Sequence, residues 1–522
     1  MRNFAPGSWL RCLRPLRGIA LAAAALGALT PPAEATWSII LVDTATGEVA
    51  IGCATCLESL DLTVYCPVML AGVGGACAQS AIDSNGRNRR LIWDEMQNGT
   101  SPTKILTLLR NSDGSHQSRQ YGIVDLRGRQ ATFTGSRCGA YANGVAGSVG
   151  TIHYAIQGNV ITGQPVIDDA EDAVINTVGD LAEKLMAGME AAHAVGGDGR
   201  CSCDPSDADR CGSPPPGFDP NSDKSAHIGF MMLTRMGDTD GSCNASLGCA
   251  NGTYYMDLNV AFQKSQDPDP VIQLRGLFDE WRDDWRGRPD HLRTTQLLSR
   301  TSRPGNGTTP ATLTLTAIDW EGNPVGHGGA TVTVTHAVDS AGLTTIGAIT
   351  DHGDGTYTVD LEGGVGQGLD TFVTTIDDGL GAVTLHPNPE LNHTATLKLS
   401  ATSISASAGG TIDLDLIGPD ETPPADYLLL CSMSGTDPGL PVGAVVLPLN
   451  WDDLVLYSYC YRNGVNFINT DATLDDEGKA QAQFHVDPDD LTPIVGLDLA
   501  FAYLTNGPVS FVSNFKLLTV DP

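Results

Sequence analysis

Thr36-Trp37-Ser38-Ile39-Ile40-Leu41-Val42 reads as a β-strand, rich in β-branched and aromatic residues and free of Gly and Pro. Asp43 to Gly47 supplies a turn, and Glu48 to Ala54 runs back, so the segment opens as a hairpin. What precedes it is different in kind. Arg2, Arg11, Arg14 and Arg17 make a basic start, Gly18 to Leu29 is apolar, and Ala33-Glu34-Ala35 has the A-x-A form of a signal-peptidase site. The apolar run is shorter than the roughly 20 residues that a spanning helix needs. Residues 1–35 are therefore expected to be a signal peptide, leaving Thr36 as the new N-terminus of a secreted protein, extracellular or periplasmic. No later apolar run is long enough, so no membrane span is expected.

Composition narrows the partners. The 522 residues carry 30 Lys+Arg against 61 Asp+Glu, a net charge of −31. Phosphate backbones demand a basic face, so nucleic acid is not an expected partner. Of 13 cysteines, Cys12 leaves with the leader. The even set that remains reads as disulfides in an oxidising compartment, with Cys431 and Cys460 the pair expected in the C-terminal part. Cys53-x-x-Cys56 has zinc-ligand spacing, but no Cys/His pair follows at finger spacing. Asp238-x-Asp240-Gly241 starts like a calcium loop and lacks its closing Glu. Neither metal nor cofactor is expected.

The chain changes texture near residue 300. Before it, strand hairpins group apart from helices, which are expected at Asn88 to Gln97, Pro102 to Arg110, Asp168 to His193 and Pro270 to Trp285. After it come Thr/Val alternations such as Ala311 to Ala317 and Ala330 to Val334, with no helix signal. The expected division is a layered α+β domain over 36–295, a Pro/Gly-rich linker over 296–310, an immunoglobulin-like β-sandwich over 311–393, and a second all-β sandwich over 394–522.

A hydroxyl nucleophile needs a base, and an N-terminal Thr carries one in its own α-amine. Signal cleavage after Ala35 would create that amine. At this point the residues carry a resemblance. Thr36 to Ile40 leading to Asp43, Gly72-Val73-Gly74-Gly75, Ala78-Gln79-Ser80, and Arg119 to Asp125 occur in order. So do Phe133-Thr134-Gly135, Gln157-Gly158-Asn159, Gly196-Gly197-Asp198 with Arg200, Ser225-Ala226, and Asp267 to Val271. Residues 36–287 in this respect resemble the bacterial domain-of-unknown-function family 1028, whose fold is N-terminal-nucleophile (Ntn) hydrolase-like. The 311–393 segment resembles the invasin- and filamin-type modules of bacterial surface proteins.

The first resemblance implies an αββα sandwich with Thr36 at the mouth of a cleft. It implies acyl transfer as the reaction class, most simply hydrolysis of an amide in a small molecule or peptide. Asn159 is the expected oxyanion donor, since Gly158 allows close approach, and Gln79 is a second polar candidate. Asp198 and Arg200 are expected to orient the amine or to clamp a substrate carboxylate. The alternative is a catalytically silent scaffold that binds a cell-surface or polysaccharide partner through its β modules. Two insertions depart from the family pattern, Cys201 to about Asp223 and Gly237 to Gly252, and the first would sit beside the site.

Overall fold

The computed structural model describes residues 36–139, 141–204, 211–305, 309–364, 366–418, 424–443, 445–506 and 511–522. The expected leader, 1–35, lies outside the described residues. The front of the chain is built on two facing antiparallel sheets. β1 (Thr36–Asp43) and β2 (Glu48–Thr55) form the hairpin read from the sequence. The helical turn α1 (Leu62–Tyr65) leads to β3 (Pro67–Leu70), β4 (Gly74–Ser80), α2 (Arg87–Gln97) and α3 (Pro102–Ser112). Then come β5 (Arg119–Asp125), β6 (Arg129–Thr134), β7 (Ala142–Val149) and β8 (Ile152–Asn159). α4 (Pro165–Asn176), α5 (Leu181–Ala194) and α6 (Gly199–Ser202) precede β9 (Ile228–Thr234), β10 (Met256–Val260) and α7 (Pro270–Asp284). The larger sheet has the order β10-β9-β2-β1-β8-β7, the smaller β3-β4-β5-β6.

Alternation along β1 sets the packing. Trp37, Ile39 and Leu41 face Leu185 and Met189 of α5 and Leu274 of α7. Ile40 and Val42 face the other sheet, meeting Met69 and Val124. Both faces are thus covered, which is why Ile39 to Val42 reads as an unbroken apolar run. On the far side of the smaller sheet, Val68, Leu70 and Ile123 pack on Ile92, Ile105 and Leu109 of α2 and α3. A mixed front followed by β-rich modules agrees with the expected α+β class.

One helix is divided where a single one was expected. Over Asp168 to His193, Thr177 leaves α4 with extended backbone and Gly179 adopts φ +149°. Asp180 then caps α5 by accepting from Glu183 N at 3.0 Å.

Behind α7, strands from Thr295–Leu298 to Glu390–Thr394 form two sheets around Leu313, Val359, Phe372 and Leu391. Two short strands run through the 296–310 stretch: Thr295–Leu298 pairs with Ala311–Thr316, and Ser302–Pro304 with Glu390–Thr394. The described residues between 397 and 521 form a second β unit around Leu414, Leu429, Phe484 and Phe501. Contrary to expectation it holds a helix, α8 (Asp453–Cys460), capped by Asp452, whose Oδ1 accepts from Val455 N at 2.8 Å. None of the helices among the described residues is long and apolar enough to cross a membrane.

Cys56–Cys201, Cys203–Cys211 and Cys243–Cys249 are bridged. The expected Cys431–Cys460 bridge is absent, and both thiols are free. The reason is helical periodicity: Ser458 Oγ meets Cys431 N at 3.2 Å, and two residues on, about 200° around α8, Cys460 points to solvent. Cys53, Cys66 and Cys77 are also free, and they pack as small apolar side chains between the two sheets.

Candidate active site

Thr36 occupies the first position of β1, between β2 and β8. Register puts Asn159 directly opposite it on β8, and pairs Trp37 with Ala54 on β2, which brings Thr55 beside Thr36 at the open end of the hairpin. Period-two alternation turns Thr36, Ser38, Thr55 and Asn159 toward the space between the sheets. Thr36 Oγ1 donates to Thr55 Oγ1 at 3.2 Å. Thr55 Oγ1 also accepts from Arg200 Nη2 at 3.3 Å. Arg200 grips Asp198 at two points, Nη2 to Oδ2 at 2.9 Å and Nε to Oδ1 at 3.2 Å. Asp198 is fully buried, and its Oδ2 also accepts from Cys56 N at 2.6 Å. One hydrogen-bonded line therefore runs from Thr36 through Thr55 and Arg200 to Asp198.

Local backbone makes this line possible. Gly197 takes φ +52°, and a Cβ there would fall 2.7 Å from the Trp37 ring. Only a bare backbone lets the Gly196-Gly197 turn lie on Trp37, next to Thr36. Asp198 follows at once and caps α6, accepting from Arg200 N at 3.0 Å.

Gln79 is near Thr36 in another capacity. Its Nε2 donates to Thr36 O and to Gln120 Oε1, both at 2.9 Å, and its Oε1 accepts from Ser38 Oγ at 2.6 Å. Gln120 Nε2 in turn reaches Gly158 O at 2.9 Å. These amides tie the start of β1 to β4, β5 and β8, across the gap between the sheets. Both amide hydrogens of Gln79 are spent in that task. Asn159 is completely buried at its paired position.

Residues 36–206 match the family of unknown function DUF1028. Residues 294–388 match domain 3 of invasin. A solved DUF1028 protein from Silicibacter pomeroyi is 16% identical over 49% of this chain and 95% of its own, with a TM-score of 0.34. The Yersinia pseudotuberculosis adhesin InvE is 17% identical over 45% of this chain and 61% of its own, with a TM-score of 0.19. The Escherichia coli adhesin FdeC is 11% identical over 92% of this chain and 98% of its own, also with a TM-score of 0.19. No curated protein matches the chain.

Thr36, Gln79, Asn159, Asp198 and Arg200 all lie within the DUF1028 match, which stops inside the first insertion. The Cys56–Cys201 bridge fastens that insertion to the end of β2, one residue from Thr55. Beyond Arg200 opens a basin of about 540 Å³ lined by Pro216, Phe218, Lys224, His227 and Ser265 among others. Burial lowers the pKa of Lys224, whose Nζ donates to the carbonyls of Lys264 and Asp267 at 3.0 and 2.8 Å. Burial and the nearby Lys224 lower that of His227. The two sulfurs and the His227 ring lie within 4.8 Å of one another, but a disulfide offers no thiolate to a metal.

His193, Ser225 and Asp269 have the composition of a catalytic triad with the protons arranged otherwise. Ser225 Oγ donates to Asp269 Oδ2 at 2.9 Å, while the ring nitrogens of His193 reach Ser225 Oγ and Pro220 O, both at 2.7 Å. Burial opposes the charge on His193, yet Asp269 outweighs it and the pKa rises. A protonated ring donates from both nitrogens and cannot serve as a base for Ser225. The group ties α5 to the insertion and to the cap of α7. Asp238 and Asp240 likewise accept from backbone N–H groups, of Tyr255 at 2.8 Å and of Ala71 at 2.9 Å.

Sequence reasoning passed over Thr55, Lys224, His227 and the Cys56–Cys201 bridge. Thr55 had a signal: it lies as far behind the Asp43–Glu48 pair as Thr36 lies ahead of it. The other three are brought in by long-range closure, which leaves no local pattern.

Proposed function

We propose that the exported protein, cut after Ala35, is an Ntn-type amidohydrolase with Thr36 as nucleophile. The observation that carries the reading is the line from Thr36 Oγ1 through Thr55 to Arg200 and Asp198. In the uncut chain Thr36 N is a peptide nitrogen and can accept no proton. Cleavage turns it into an α-amine titrating near ~8, with an appreciable free-base fraction at neutral pH. Thr36 Oγ then attacks the amide carbonyl while its proton passes to the amine. The amine returns that proton to the leaving nitrogen as the C–N bond breaks, and water releases the acyl group by the same steps in reverse. Asn159 supplies an oxyanion donor. Asp198 and Arg200 act through Thr55 as positioning residues for the hydroxyl.

A second activity resides in the β modules, favoured by the match of residues 294–388 to invasin domain 3. On this reading they hold the secreted enzyme at a surface.

The test uses protein exported with its leader, verified by N-terminal sequencing to begin at Thr36, and exposed to a β-lactone. Wild type should acquire one adduct on Thr36. Thr36→Ala should lose it while melting within a few degrees of wild type. Equal labelling of the two, or a mature N-terminus elsewhere, would remove Thr36 from the chemistry.

A further inference from the structure

Exposed aromatic side chains are unevenly spread over the molecule. Of six among the described residues, Phe262 and Phe515 stand apart, while Trp451, Tyr457, Tyr459 and Tyr461 fall on and beside α8. Leu456, Val465 and Ile468 are exposed in the same short segment. Single exposed apolar residues are ordinary; a group of them, one of which, Tyr457, lines a concavity, marks a binding surface. The concavity is a cleft of about 320 Å³ between α8 and the turn Thr492–Ile494. Leu454, Phe467 and Ile494 are among the apolar residues that line it, and Tyr457, Asn466 and Asp490 supply its polar atoms. At about 30 Å³ per water it has room for roughly ten waters, more than one pyranose ring needs.

Ring geometry and hydrogen-bond inventory narrow the occupant. Tyr457 and Tyr461 lie 4.6 Å apart with planes 36° from parallel, and Tyr457 meets Phe467 edge-on at 6.1 Å. Tyr457 Oη donates to Asn466 Oδ1 at 2.9 Å, and Asn466 Nδ2 donates to His485 O at 2.9 Å. One hydrogen of that amide remains to give, and the exposed Asp490 carboxylate can only accept. We propose that this cleft is a binding site for a neutral saccharide, one ring stacked on Tyr457 with its hydroxyls on Asn466 and Asp490.

Each alternative leaves something unpaired. An apolar side chain would cover the Asp490 carboxylate without a donor. A lysine or arginine side chain would satisfy Asp490 but offers no acceptor of its own to the Asn466 amide. An anionic polymer would meet Asp487, Asp489 and Asp490 on a chain of net charge −31. A sugar hydroxyl both donates and accepts, so it satisfies both rim groups, and its C–H face suits an aromatic ring. The proposal is independent of any chemistry at Thr36.

Affinity electrophoresis of the chain 36–522 in gels containing mannan, dextran or hydroxyethylcellulose tests it, with polygalacturonate as the anionic control and titration of a tetra-arginine peptide as a second arm. Wild type should be retarded by at least one neutral polymer and not by polygalacturonate. Tyr457→Ala should weaken that retardation at least tenfold, and Asp490→Ala, a surface change that leaves the fold intact, about fivefold. Tyr459→Ala, on the other side of α8, should retain it. Absence of retardation on all three neutral polymers would overturn the proposal, as would unchanged binding by both Tyr457→Ala and Asp490→Ala. Binding of the arginine peptide that Asp490→Ala abolishes, with no polymer bound, would assign the cleft to a protein partner instead.

Discussion

Asp198 shows how one residue can hold a site that it does not enter. Its carboxylate takes three contacts from Arg200, two from the guanidinium and one from the backbone N–H, and a fourth from Cys56 N, and Arg200 passes that order to Thr55 and so to Thr36. The Gly196-Gly197-Asp198 string and an Asp198–Arg200 pair were visible in the sequence, but the Cys56 backbone that joins them was not, because it lies 142 residues away. The position of Thr36 at the start of β1 was legible for a local reason: an A-x-A sequence ends where a strand begins. Asp198→Asn keeps the shape, removes the charge facing Arg200 and places an amide hydrogen among donors. Breaking such a pair should cost about 3 kcal/mol in urea unfolding, and on the function proposed above the Thr36 adduct should form more slowly. Wild-type stability in this variant would show that the pair does not hold the turn.

At the scale of elements, errors of reading came where neighbours override local pattern. β7 was not expected at all, since Ala-Asn-Gly-Val-Ala-Gly-Ser-Val looks like loop. Its glycines are required by close approach: a Cβ at Gly144 would sit 2.7 Å from Thr132 Oγ1, and one at Gly147 would meet the Tyr154 hydroxyl at 2.4 Å. α8 was hidden for the opposite reason, because Val-Leu-Tyr-Ser-Tyr has strand propensity and only the Asp452 cap announces a helix. The break between α4 and α5 was masked by an apolar period that continues across it through Val174, Leu181 and Leu185. Asp180 makes that break, and its Oδ1 also takes Arg282 Nη2 of α7 at 2.5 Å. Asp180→Ala should therefore cost about 1–2 kcal/mol, read as a lowered urea midpoint. Val178→Ser, at a position 95% exposed, should leave the midpoint unchanged. Equal effects of the two substitutions would mean that the cap carries no stability.

Across the whole molecule, the first β module meets the turn that joins β1 to β2, at the opposite end of β1 from Thr36. His386 Nε2 contacts Ala45 O at 3.0 Å, and Arg288, stacked on Trp285, pairs with Asp378 at 2.7 Å. At the centre His291 Nε2 lies 3.0 Å from Glu48 Oε1, and its Nδ1 is 3.5 Å from Asp290 Oδ2, near enough for attraction without hydrogen-bond geometry. Arg235 and Asp238 lie close by, and Tyr255 packs edge-on against the ring at 5.3 Å. Burial opposes protonation of His291, but the two carboxylates prevail and raise its pKa to about 9. A raised pKa means that its stabilisation is complete below the unfolded value near ~6.5 and is lost as pH climbs through about 9. His291→Gln should thus lose on the order of 3 kcal/mol at pH 6, leaving Glu48 and Asp290 facing each other, and much less at pH 10. Thermal melts of both proteins across that range measure the difference, in which the similarly raised His193 cancels because both proteins keep it. A gap that widened toward pH 10 would show His291 to be neutral in the folded protein, and the docking of module to hairpin to rest on its other contacts, His386 with Ala45 and Arg288 with Asp378.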